Sequence, residues 1–388
     1  MIFKTIITII VAFVAIVILI PLILSAVGID IISGRGGGAQ STELLFRSED
    51  GGEHWSPATF VRERRDPLPA YINDIATHPI ATTTLFAATK SAGLWKSEDA
   101  GATWRQVRDS AGILDPQSDI YRVVISRSRP DVMYVAAYQE SRGKVFRSED
   151  GGKSFHQIYF VGQQKYGIFD IYTPPTDADT VMVATGEGRL LISNDGGKRW
   201  RFSKVLRDPL ARLAMHPWYG NEGYLMTSKG QVYKTYDTGG SWSDLGLLNR
   251  SLRRTSSRVI EHPYTRLSFT TLRPGTARAP VRDALVPDPH HGGVIYRTSN
   301  GSIFKSVNGG SSWQPLSTFI DGLGVPVGGV AVHPREPDTL MVTAGQAVYT
   351  SKDLGINWSI VPFSSRLPLR EVYIHLDSPR IVFIATER

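Results

Sequence analysis

One nine-residue phrase recurs seven times in this chain: RSEDGGEHW (47–55), KSEDAGATW (96–104), RSEDGGKSF (147–155), ISNDGGKRW (192–200), KTYDTGGSW (234–242), KSVNGGSSW (305–313) and TSKDLGINW (350–358). Its hydroxyl residues, Ser48, Ser97, Ser148, Ser193, Thr235, Ser306 and Ser351, stand 49, 51, 45, 42, 71 and 45 residues apart. Self-similarity at about 40–50 residues is the mark of a propeller, whose blades bury their faces only against one another. Around Ser97 one blade reads as four short strands, A to D from the axis outward: YINDIATH, TLFAAT, GLWKSE and ATWRQV. The 37 glycines and 23 prolines are scattered among these runs, as frequent turns require, and the chain has no cysteine for disulfides or thiolate chemistry. The expected fold is all-β with seven blades over residues 41–388.

The chain ends fix how the ring closes. STELLF precedes the first phrase, which leaves room there for strands C and D alone; LREVYIHLDSPRIVFIATE after the last phrase supplies an A and a B. A shared blade, two strands from each end, leaves no open sheet edge between first and last blades. A His-Pro pair marks the end of strand A at His78, His216, His262 and His333, which stand 19, 19, 44 and 18 residues before the next phrase. The blade before Ser306 therefore reads as carrying about 25 extra residues after His262, within 264–293.

Within each phrase the residue types suit a tight hairpin between strands C and D. Asp50, Asp99, Asp150, Asp195, Asp237, Asn308 and Asp353 are placed to accept turn N–H groups, the hydroxyl adds another acceptor, and glycine supplies positive φ. The aromatic residue that follows starts strand D and is expected to pack between blades. The phrases resemble the Asp-box, or bacterial neuraminidase repeat, of sialidases, xyloglucanase-type glycosidases, sortilin and the photosystem II assembly-factor propellers. Phe155, Thr235 and Asn308 are the departures from the pattern. The resemblance implies a propeller and a structural duty for each box; enzymes and binding proteins share it.

Residues 5–29 contain no charge, about enough for one helical membrane span. The run exceeds a signal-peptide core and no A-x-A site follows, so residues 1–30 are expected to be an uncleaved anchor and 31–40 a Gly-rich linker. The propeller is then expected on the extracytoplasmic side of the cytoplasmic (inner) membrane, as a single-pass protein.

Site chemistry is less sharply written. The histidines preceding proline belong to different blades and suit turns better than a metal ring, and His290 and His291 read as solvated loop. No metal, cofactor or catalytic residue is assigned. Asp74, Asp119, Asp170 and Glu371 lie at or near strand A starts, where a glycosidase pair would sit. Arginines gather in the D-to-A connections: Arg62, Arg64 and Arg65; Arg105 and Arg108; Arg250, Arg253, Arg254 and Arg258; Arg366 and Arg370. A planar guanidinium fork suits carboxylates, so this face is expected to receive an acidic protein partner.

Sialidase chemistry would require an F/Y-R-I-P phrase that the chain lacks, and xyloglucanase-type clefts normally need a second propeller. A net charge of +7 permits nucleic acid, but no paired aromatic platform for it stands out. The layout is most similar to the assembly-factor propellers, which implies a monomeric, non-catalytic scaffold or protein-binding role. A glycan-binding or glycan-cleaving propeller is the alternative.

Overall fold

Ile72–Thr77 pairs antiparallel with Leu85–Thr89, that strand with Leu94–Ser97, and that with Arg105–Gln106. These are strands A to D of blade 1, as the sequence around Ser97 leads one to expect. The computed structural model describes residues 44–62, 68, 71–247, 284–299, 302–316, 327–363 and 365–386. It repeats this four-stranded antiparallel sheet seven times. Blades 2 to 6 occupy 119–160, 168–205, 210–247, 285–315 and 327–362. Blade 7 joins Leu369–Ile374 and Val382–Thr386 to Leu45–Ser48 and Ser56–Pro57, with four register pairs from Leu45↔Ala385 to Ser48↔Val382 sealing the ring. The two-plus-two closure holds.

Burial explains the strand sequences. Strand B is buried along its whole length in blade 1 (LFAAT), blade 3 (VMVAT) and blade 7 (VFIAT), because neighbouring blades cover both of its faces. The apolar core is accordingly layered between blades: Leu45 and Phe383 of blade 7 pack with Leu85, Trp95 and Trp104 of blade 1, and Ala76 and Phe86 of blade 1 with Val123, Val135 and Phe146 of blade 2. Strand D forms the rim, and Arg201–Val205 is largely exposed.

Blade 5 departs from the sequence reading. Its strand A is Leu285–Pro287, not a strand ending at His262. Asp288 follows it, 18 residues before Ser306, and so stands where histidine stands in blades 1, 4 and 6. The extra length therefore precedes strand A, in the D-to-A connection after Leu247, and does not follow it. His262 misled because the cap residue of this blade is an aspartate. Residues 248–283, with His262, lie outside the described residues, as do 1–43, on which the expected anchor falls. Among the described residues no helix is long and apolar enough to cross a membrane.

Strand A packs on strand A of the next blade from blade 1 through blade 7, which sets these strands around the axis. Near its start, every strand A except that of blade 5 shifts register by one residue, before Asp74, Arg122, Asp170, Arg212, Gly329 and Glu371. Such a bulge takes one residue out of the ladder and re-aims the next side chain. The bulges build the candidate site.

Candidate functional site

The seven hairpins share one hydrogen-bond plan. The Ser or Thr hydroxyl donates to the aspartate at 2.7–2.8 Å, and to Asn308 at 3.0 Å, while accepting the N–H of the glycine four residues on at 2.7–2.9 Å. The acid then accepts the N–H of the residue before the aromatic at 2.8–3.0 Å. In five boxes the side chain of that residue also bonds the acid, His54, Thr103, Ser154, Ser241 and Asn357, and in the box of blade 5 Asn308 Nδ2 donates instead to the Ser312 hydroxyl. These short polar residues were a readable signal that the motif S/T-x-D-x-G-x-x-W omits. The N–H and hydroxyl of Ser241, then Thr235, hold Asp237 down to about 2.

The glycines do more than supply positive φ. At Gly101, φ is +84° and a Cβ would lie 2.7 Å from Phe383 of the preceding blade, so box and neighbour interlock. Trp104 completes that contact, fully buried and donating its indole N–H to Ala58 O at 2.6 Å. Asp50, Glu53 and His54 place ligand atoms within 4.8 Å of one another, but both Asp50 oxygens are already taken by the hairpin. The boxes are joints.

The strand A histidines are joints as well. His78 and His333 each accept through Nδ1 two N–H groups of the following turn, at 2.9 and 3.3 Å. His375, which no proline follows, does the same in blade 7 at 3.1 Å. Asp288 is the substitute in blade 5, accepting from His290 N and His291 N. His291 is exposed, but His290 reaches the carbonyl of His333 at 2.9 Å and so ties blade 5 to blade 6.

On the axis, Arg122 lies between Asp74 and Asp170, 2.8 Å from the first and 3.1 Å from the second. The other oxygen of each aspartate is occupied too: Asp74 Oδ2 accepts Val123 N at 3.0 Å, and Asp170 Oδ2 accepts Leu213 N at 2.9 Å. Each carboxylate thus staples its blade to the next. Burial pushes the Asp74 pKa up against the pull of Arg122. Enclosure at the axis opposes the charge of Arg122, whose side chain stays 36% exposed, but the two carboxylates outweigh it and raise its pKa. Arg212 of blade 4 approaches Glu371 of blade 7 at 3.7 Å, a contact across the axis. Burial works against the Glu371 charge, and Arg212 and Arg370 overcome it to hold the carboxyl low. Tyr373 donates to Glu371 and is pushed well up by burial and by that negative charge.

Of the four carboxylates expected at strand A starts, three therefore join the axial network. Asp119 does not; it accepts Ser91 N and Oγ at 2.7 and 2.8 Å and secures the B-to-C turn of blade 1. Arg122 and Arg212, which sequence reasoning left unassigned, are central because the bulge sets them among these acids. The arginine set is divided. Arg105 pairs with Glu98 at 2.8 Å, and that carboxyl is held low by Lys96 first, then by Arg105 and Arg62, so both arginines stand beside the box of blade 1. Arg62 N also bonds Trp104 O at 2.9 Å. Arg108 and Arg366 are exposed, and Arg370 adjoins the axial acids. Arg64, Arg65, Arg250, Arg253, Arg254 and Arg258 lie outside the described residues.

Comparison with known proteins agrees on the architecture. The Sortilin-Vps10 family, described as sortilin, neurotensin receptor 3, matches residues 143–258. A xyloglucanase of Hypocrea jecorina is 24% identical over 355 residues, 81% of this chain and 41% of that protein. The chain thus spans less than half the length of this curated relative. Among solved structures, YCF48 bound to D1 peptide superposes with a TM-score of 0.57 at 15% identity, covering 82% of this chain and 94% of that one. The GH74 xyloglucanase from Xanthomonas campestris superposes with a TM-score of 0.58 at 15% identity, covering 82% of this chain and 51% of that one. At these identities the likeness is one of fold.

Proposed function

We propose that this chain, a seven-bladed propeller of the Asp-box type, is a non-catalytic scaffold that receives an acidic polypeptide on the face of its D-to-A connections. One observation carries the reading: Asp74 and Asp170 are each held by Arg122 and by a backbone N–H of the next blade. A general acid and base must be free to exchange protons with substrate. These two are engaged in joining blades. The likeness in size to a propeller solved with a peptide bound supports the same direction. In this proposal Arg108 and Arg370 receive the partner, together with the D-to-A arginines at 64, 65, 250, 253, 254 and 366. The uncharged segment 5–29 would hold the propeller at the extracytoplasmic surface of the cytoplasmic membrane.

The test is a fluorescence titration of the full chain with a labelled Asp/Glu-rich peptide at rising salt, repeated with Arg108→Glu plus Arg370→Glu. The proposal expects affinity to fall as salt rises and to fall again in the charge-reversed protein. Salt-independent binding, equal in both proteins, contradicts it.

Glycan cleavage is the second reading, favoured by the xyloglucanase likeness over 81% of the chain. It requires axial carboxylates to act on substrate despite their present partners.

A further inference from the structure

The residue between the hydroxyl and the acid of each box sits at the hairpin tip. It is Glu49, Glu98 and Glu149 in blades 7, 1 and 2, Asn194 in blade 3 and Lys352 in blade 6, but Tyr236 in blade 4 and Val307 in blade 5. Those two tips belong to adjacent blades and are 65% and 67% exposed. Nothing in the hairpin plan calls for an apolar residue there, since five blades form the same hydrogen bonds around a polar one. The A-to-B turn of blade 4 lies on the same face and is tied to its box by Thr238 N to Asn221 O at 3.1 Å. That turn adds Trp218 and Tyr219, the second of them 67% exposed.

These aromatic side chains are held in place. Tyr236 covers Lys234 Nζ at 4.2 Å, and a Cβ on Gly309 in the box of blade 5 would strike the same Nζ, so Lys234 bridges the two tips. Tyr219 stacks on His216 at 4.4 Å, and Trp218 faces the Arg127 guanidinium at 5.1 Å. Each ring is fixed on one side, so little rotamer entropy is left to lose on binding. The charges behind them are matched internally: Lys234 lies 2.8 Å from Glu222, and Arg127 makes two bonds to Asp377 at 2.7 and 3.0 Å. A fixed aromatic surface over internally paired charges complements a partner that is apolar and uncharged, and tyrosine and tryptophan are the residues that dominate such contacts.

We propose that the box face of blades 4 and 5 docks an uncharged, apolar segment of a second protein, separately from the arginine-bearing face. The experiment pans a random linear peptide library on the immobilised full chain, then titrates recovered peptides against wild type and Tyr236→Glu plus Val307→Glu. Both substitutions install the residue that blades 7, 1 and 2 carry at that position, so the melting temperature should hold. The expected peptides are uncharged and rich in Leu, Phe or Trp, keep their affinity in high salt, and weaken at least about tenfold in the double variant. If the double variant melts early, Tyr219→Ser carries the same comparison. A library yielding acidic peptides alone, or affinities equal in the variants, overturns the proposal. So does wild-type self-association that the double variant abolishes, since the patch would then be a contact between copies.

Discussion

The outer hairpins and the inner ends of strand A belong to the same seven blades, yet they obey different rules. At the rim, seven boxes repeat one hydrogen-bond plan, and even Asn308 keeps the geometry of the six aspartates. At the axis, equivalent bulge positions hold Asp74, Arg122, Asp170, Arg212, Gly329 and Glu371. A hairpin satisfies its own backbone and can be copied without change. Seven copies of one charge around an axis would repel, so the inner ring needs opposite charges in different blades. Uniformity marks joints whose hydrogen bonds close within one hairpin, and divergence marks joints that depend on which blades face each other.

The largest expected effect sharpens this contrast at the rim. Trp104→Ala should cost about 3–5 kcal/mol, as removal of a fully buried aromatic does, and should greatly exceed Trp200→Ala, whose ring is half-buried. Denaturant melts of the two variants measure the difference; equal losses would separate box stability from inter-blade burial.

Asp74→Ala comes next. It bares Val123 N and leaves Arg122 with one carboxylate, an expected loss of about 1–3 kcal/mol. Arg122→Met tests the same network through pH. Because burial raises the folded pKa of Asp74 above its ordinary 3.8, ionising it costs stability as pH rises above that value, and Arg122 offsets the cost. The variant should therefore lose more stability relative to wild type at pH 7 than at pH 4. A loss independent of pH would mean that Arg122 acts by packing.

The smallest effect concerns the box acids. Asp237 is depressed to about 2, so its contribution is present above its ordinary 3.8 and disappears as pH falls through 2. Asp237→Asn should change neutral stability little, since Asn308 already does this duty, and should flatten the acid limb of the stability curve. An acid limb identical to wild type would show that Asp237 draws nothing from its charge.

The blade count, the closure and the box duties were legible because each depends on a short local pattern repeated in register. Strand A of blade 5 was not, because Asp288 performs by a carboxylate what His78 performs by an imidazole, and a His-Pro pair at 262 offered a false register. The axial network was half legible. Asp74, Asp170 and Glu371 stand out as acids at strand starts, but their pairing with Arg122 and Arg212 depends on one-residue bulges and on which blades face each other across the axis. The arginines divide for a similar reason: Arg62 and Arg105 meet at Glu98 only once blade 7 is laid beside blade 1.

In the proposed function the axial carboxylates join blades and do not catalyse. Release of reducing ends from a panel of β-glucans and xyloglucan by the full chain, measured beside thermal melts of wild type, Asp74→Ala and Asp170→Ala, which bare Val123 N and Leu213 N, tests this directly. The account predicts no turnover by any of the three proteins and a lowered melting temperature in both variants. Turnover by wild type that either substitution abolishes while the melting temperature stays unchanged would contradict it.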